Sequence, residues 1–180
     1  MLPAALRERA CRVTLLVLDV DGVMTDGSLH FGPEGEELKT FHVHDGLGIQ
    51  LLHLAEVRSA VISGKTSAAL EHRLDALGIA RRHLGRSDKL PVYHSMLREL
   101  GLQDESVAYV GDDLPDVPVM RRVGLPIAVA NAHSSAKAVA RWVTTRAGGR
   151  GAVREVAEAL LEAKGVLAQA QARYLNDRGG

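Results

Sequence analysis

An α/β fold, a Rossmann-like parallel sheet with helices on both faces, is predicted by three observations. Short apolar, β-branched runs recur along the chain. Leucines at helical spacing fall between them. Acidic residues collect just after the apolar runs. Strands alternating with helices imply βα units and a sheet covered on both sides. The length of 180 residues fits one domain, 1–180.

Each element follows from its local pattern. Val13–Leu18 (VTLLVL) is short, continuous and apolar, as a buried parallel strand should be. Residues 27–43 break the alternation: GSLHF, then GPEG, then EELKTFHV. Two short strands around a Gly/Pro turn predict a β-hairpin inserted after the first strand. SAVI at 59–62 and VAYV at 107–110 are two further strands; Ile127–Val129 and Trp142–Thr144 are weaker ones. Leu70, Leu74 and Leu77 mark one helix, and Leu90, Tyr93, Leu97 and Leu100 another. A C-terminal unit, 146–180, holds the glycine-rich loop Ala147–Gly151 and a helical pattern over Ala152–Tyr174.

Composition narrows the function classes. Lys+Arg and Asp+Glu are 22 each, and a chain without net charge is a poor general nucleic-acid binder. No apolar run reaches the ~18 residues of a membrane span. The start, MLPAALRERACRV, lacks the apolar stretch of a secretory signal, so the expected location is cytoplasmic. Cys11 is the single cysteine, which removes disulfides and Cys-based zinc sites.

The carboxylates carry the chemistry. Asp19, Asp21 and Asp26 follow the first strand, and Asp112, Asp113 and Asp116 follow VAYV. Between them, SAVI ends at Ser63-Gly64-Lys65, and Lys89 opens a later helix. Ligands bind at the carboxyl ends of strands in open α/β sheets. Carboxylates gathered there repel one another and need a cation. Hard oxygen ligands suit Mg²⁺, which also takes phosphate oxygens. Ser63 and a glycine N–H can hold phosphate, and Lys89 can neutralise it. That set is a phosphoryl-transfer kit. Any one of these aspartates could instead be a turn or helix cap.

With these motifs in place, the chain resembles the haloacid dehalogenase superfamily of aspartate-nucleophile phosphatases. The matching residues are Asp19-Val20-Asp21-Gly22-Val23, Ser63, Lys89 and Gly111-Asp112-Asp113…Asp116. DVDGVMTDG, GEELKTFHVHDGLGI, YVGDDLPDVPVM and AGGRGAVREV narrow it to the 3-deoxy-D-manno-octulosonate 8-phosphate phosphatase family, over roughly Leu15–Leu161. The resemblance implies a haloacid dehalogenase-like fold, an Mg²⁺-dependent phosphatase of lipopolysaccharide precursor synthesis and a phosphorylated sugar acid as substrate. It makes Asp19 the nucleophile and Asp21 the acid and base, with Ser63 and Lys89 on the phosphate. The metal would take Asp19, the Asp21 carbonyl and Asp112, with Asp113 and Asp116 behind them. Substrate contacts would be Asp21, His42, Val43, His44, Asp45, Gly46, Gln50, Gly64, Lys65, Arg73 and Lys89. The family commonly has Arg at the positions of His44, Gln50 and Lys65, and often Asp at Asn131. A guanidinium grips a carboxylate or phosphate with a fork that Lys and Gln lack. A nine-carbon ulosonic acid 9-phosphate is therefore the alternative substrate.

Many members of the superfamily carry a cap domain over the site. Here the first gap holds only the hairpin, and 63–89 holds one helix and a short segment, so no cap domain is expected. The resemblance implies a homotetramer, with hairpins assembled centrally and Arg150, on the loop Gly148–Arg154, reaching a neighbouring site. His42 and His44, two apart on a predicted strand, would share a face; a hard-oxygen Mg²⁺ site does not favour imidazole. A different class, the phospho-receiver domain of a signalling relay, also gathers Asp, Ser/Thr and Lys on a parallel sheet. The DxDG and later GDD order argues against it.

Overall fold

A computed structural model describes residues 2–177. Its centre is β1 (Leu15–Leu18), whose four residues are all buried. It lies between β4 (Arg58–Ile62) and β6 (Val107–Gly111), both parallel to it. Buried on both faces, such a strand must be apolar throughout, which is what LLVL is. The strand order is β5-β4-β1-β6-β7-β8, with β5 (Arg81–His83), β7 (Leu125–Ala128) and β8 (Trp142–Val143). Two helical groups flank the sheet. One contains α1 (Arg7–Arg12), α2 (Val43–Leu54), α7 (Ala152–Ala163) and α8 (Leu167–Asn176). The other contains α4 (Lys89–Leu100), α5 (Val117–Met120) and α6 (Ser134–Val139). The helix α3 (Ala68–Ala76) joins β4 to β5. The expected parallel sheet with helices on both faces is borne out, and no cap domain is evident among the described residues.

The register sets the rim. Leu18 pairs with Val61 on one side and Val110 on the other. The next residues of the three strands therefore emerge together at one edge. The Asp19 N–H continues the ladder by donating to the Val110 carbonyl at 3.0 Å.

Three points differ from the sequence reading or add to it. The hairpin is shorter than 27–43: β2 (His30–Gly32) and β3 (Gly35–Leu38) are antiparallel, and the chain then turns into α2. His42 and His44 are thus not on a strand. His42 is the N-cap of α2, its Nδ1 accepting the His44 N–H at 3.3 Å, and Val43 opens the helix. The helix wins because its first N–H groups need a side-chain acceptor, and the His42 ring supplies one. Second, β5 reads RRH, with no apolar signal, yet it adds to the sheet beside β4. Edge strands tolerate charge, and often use it to block further pairing. Third, the helix expected over 152–174 breaks at Gly165, which adopts φ 73°, into α7 and α8.

Candidate active site

Asp19 sits at the end of the central strand, 5% exposed. Lys89, the first residue of α4, points back under the sheet edge and is also buried. Its Nζ donates to Asp19 Oδ1 at 2.5 Å and to Asp116 Oδ1 at 2.7 Å. Asp116 accepts three more bonds, from Tyr109 O–H at 2.7 Å, Asp112 N–H at 2.9 Å and Asp113 N–H at 3.3 Å. A carboxylate has about four acceptor sites, so Asp116 is saturated. Gly111 allows this return: a Cβ there would lie 2.5 Å from Asp116 Cβ. Asp113, by contrast, caps the short turn at Leu114, accepting its N–H at 2.7 Å.

Asp112 completes a carboxylate cluster. Ligand oxygens of Asp19, Asp112 and Asp116 lie within 4.8 Å of one another. Burial and the charge of Asp116 push Asp19 up to about 7, against the pull of Lys89. Burial and the charges of Asp19 and Asp116 push Asp112 up to about 8. One lysine does not neutralise three crowded carboxylates, and a divalent cation fits the remaining charge. The donor set is all oxygen, the kind that Mg²⁺ takes. Gly22 makes room for it: with φ 100°, it has no Cβ where one would lie 2.1 Å from Asp112 Oδ2.

The loop after β1 is pinned from two directions. Thr25, buried, takes the N–H of Gly22 at 3.4 Å and of Gly27 at 3.2 Å on its hydroxyl. The 148–149 glycines then dock on the same loop. A Cβ at Gly148 would fall 1.6 Å from the Gly22 carbonyl oxygen, and the Gly149 N–H donates to the Val23 carbonyl at 2.9 Å. Asn131 holds the loop by accepting the Gly148 N–H at 2.9 Å. The resemblance implies that Arg150 reaches a neighbour's site. Within its own chain the side chain is 65% exposed, and its Nη2 meets Asp26 Oδ2 at 3.1 Å.

The expected substrate contacts divide. Asp45 is not available as a ligand group: it is buried and caps α7, accepting N–H bonds from Arg154 at 2.8 Å and Gly151 at 3.3 Å. Burial pushes its carboxyl up, against those bonds. Gly46 serves Arg73, since a Cβ there would lie 2.3 Å from Arg73 Nη2. The Arg73 guanidinium lies 5.7 Å from the Phe41 ring centroid, and its buried Nε has no partner among the described residues. A guanidinium with a spare donor can still receive an acceptor such as an anion's oxygen. Ser63 is buried at the end of β4, and its Oγ accepts the Lys65 N–H at 3.2 Å. Gly64, Lys65, Val43 and His44 are exposed, and Gln50 is half-buried.

Two residues escape the sequence reading. Tyr109 places its hydroxyl on Asp116. The signal was there: a buried tyrosine in an apolar strand needs a polar partner. Lys39 meets Asp21 Oδ1 at 2.5 Å from the hairpin. Nothing in the pattern marks it, because a lysine beside a hairpin strand reads as an edge charge.

Comparison with known proteins agrees with this geometry. Residues 85–156 match the haloacid dehalogenase-like hydrolase family. A 3-deoxy-D-manno-octulosonate 8-phosphate phosphatase of Yersinia pestis is 50% identical over 157 residues, 87% of this chain and 84% of that protein. One of Escherichia coli K12 is 47% identical over 167 residues, 93% of this chain and 89% of that protein. The crystal structure of the Moraxella catarrhalis phosphatase, in complex with magnesium, phosphate and KDO, superimposes with a TM-score of 0.91. It is 38% identical, over 94% of this chain and 98% of that one.

Proposed function

The chain belongs to the 3-deoxy-D-manno-octulosonate 8-phosphate phosphatase family of haloacid dehalogenase-like hydrolases, and from that premise we propose how its residues divide the reaction. The substrate is 3-deoxy-D-manno-octulosonate 8-phosphate, and the products are the free sugar acid and phosphate. The observation that carries this reading is the convergence of Asp19, Asp112 and Lys89 on one rim, with Asp21 beside them.

Asp19 attacks phosphorus, the bond from phosphorus to the sugar oxygen breaks, and an aspartyl-phosphate forms. Asp21 gives its proton to the departing oxygen, then takes one from the water that cleaves the aspartyl-phosphate. Lys89 keeps Asp19 aimed, because Asp116 holds the lysine from below. Ser63 and the Gly64 N–H receive phosphate oxygens, alongside Lys89. Asp19, the Asp21 carbonyl and Asp112 would hold Mg²⁺; Asp116, its acceptors filled, stays behind them. Bound there, the cation offsets the carboxylates and phosphate so that one anion can approach another. Arg73 takes an anionic group of the sugar acid, with His42, Gly46, Gln50 and Lys65 around it.

The site has no lid of its own. Leu29, Phe31 and Leu38 on the hairpin and Val43 at the start of α2 are exposed, which is costly for so many large apolar groups close in sequence. They are covered in a homotetramer. Residues 1–180 act as one domain, with 27–43 as its assembly insertion and 146–180 as the loop and helices that close its back. No described helix is long and apolar enough to cross a membrane, and the enzyme works in the cytoplasm.

The deciding experiment compares kcat/KM on the eight-carbon 8-phosphate with that on a nine-carbon ulosonic acid 9-phosphate, Mg²⁺ present. A tenfold preference for the former is expected. The reverse preference, about 1.4 kcal/mol of transition-state binding in the other direction, rejects the substrate assignment.

A further inference from the structure

At the end of its second strand the hairpin exposes an apolar side chain and buries a charged one. Leu38 is 64% exposed, while the next residue, Lys39, has a side chain only 1% exposed. Lysine ordinarily extends its ammonium into water, and its burial is unfavourable unless the charge is paired. Nζ is paired, with Asp21 Oδ1 at 2.5 Å. Local patterning broken in this way points to function. The other oxygen of Asp21 accepts no hydrogen bond among the described residues, and the side chain stays 21% exposed. One oxygen is therefore fixed and the other is open.

We propose that Lys39 is a positioning residue for Asp21, holding Oδ1 so that Oδ2 is the atom that exchanges the proton. The inference rests on the reading of Asp21 as acid and base. In the first step the bond from phosphorus to the sugar oxygen breaks, and its electron pair leaves on that oxygen. The proton passes from Asp21 Oδ2 to the same oxygen. In the second step a water oxygen bonds to phosphorus, the bond from Asp19 to phosphorus breaks, and the water proton goes to Oδ2. Nζ–H can donate to Oδ1 whether or not Oδ2 carries the proton, so the contact holds through both steps. Lys39 follows directly after β3, so the placement of the acid depends on the hairpin being seated on its own chain.

The test is the release of leaving group in the first turnover, with enzyme in excess and Mg²⁺ present. Two substrates are compared: the sugar 8-phosphate, whose alkoxide must be protonated as it leaves, and p-nitrophenyl phosphate, whose phenolate needs no proton. For Lys39→Met the ratio of alkyl to aryl rates should fall at least tenfold, and Lys39→Arg should recover most of it. Equal losses on both substrates would mean that Lys39 only supports the fold, and the proposal would fail. Asp21→Asn is the internal control. If it lowers the ratio and Lys39→Met does not, the positioning role is wrong and the acid assignment stands. If Asp21→Asn leaves the ratio unchanged, the acid assignment itself is wrong and the inference falls with it.

Discussion

The rim at β1 and β6 and the hairpin at β2 and β3 solve opposite problems. At the rim, every polar atom of Asp116 is matched and Lys89 is shared between two carboxylates. Glycines at 22, 111 and 148 let backbone and carboxylates come closer than any side chain would permit. At the hairpin, Phe31 is 68% exposed and Leu38 is 64% exposed, with no surface of the same chain over them. The difference teaches that the groups proposed to break the bond are held within one chain, whereas the hairpin leaves apolar side chains for another surface to cover. A preorganised electrostatic site tolerates little motion. A covering surface can be supplied by another copy, at low cost in sequence.

That contrast can be broken at its strongest point first. Asp19→Asn should reduce phosphate release by ~10⁴-fold or more, as loss of a residue acting as nucleophile does. Circular dichroism should show the fold intact. Residual turnover near that of the unaltered enzyme would remove Asp19 from the mechanism.

A change that adds one carbon should come next. Gly22→Ala sets a Cβ at φ 100° where Asp112 Oδ2 now lies, so the carboxylate must move. We expect kcat to drop by ~10²-fold, the effect of a displacement of about 1 Å at a catalytic centre. Mg²⁺ titration of activity should show weaker binding in the same variant. Unchanged metal dependence would indicate that the close approach is incidental.

At the hairpin the effect should be smaller and of another kind. Phe31→Lys with Leu38→Lys changes two exposed side chains and keeps Lys39. Sedimentation should show dissociation, and KM should rise about tenfold, a loss of ~1.4 kcal/mol in binding, with kcat changed far less. A monomer with unaltered KM would mean that one chain encloses its own substrate.

The smallest effect concerns stability. Asp19 and Asp112 are raised to about 7 and about 8, so between pH 4 and pH 8 the folded metal-free protein binds protons that the unfolded chain has released. Its stability should therefore fall as pH rises through that window. Asp112→Asn relieves the repulsion, and the Tm of the metal-free variant at pH 8 should exceed that of the unaltered protein by about 2–4 °C. Adding Mg²⁺ should reverse the order. A lower metal-free Tm for Asp112→Asn would show that the cluster is not strained by its own charge.

Some of this was determined by sequence alone. Val13–Leu18 and VAYV could only be buried parallel strands, because their unbroken apolar character satisfies two covered faces at once. Asp19, Asp21, Ser63, Lys89 and Asp112 were legible because order along the chain fixes which residues follow a strand end, and the parallel register brings strand ends together. Only the tertiary structure decided the rest. The position of Asp45 under α7, the return of Arg150 to Asp26, the hydroxyl of Tyr109 on Asp116 and the grip of Lys39 on Asp21 each join distant parts of the chain. Periodicity reports which face a residue lies on and says nothing of what meets it there. His42 and His44 make the same point from the other side. Their spacing suited a strand, and the need of α2 for an N-cap overruled it. A local pattern gives an element its character, but the unsatisfied groups of its neighbours decide where it begins and whom it serves.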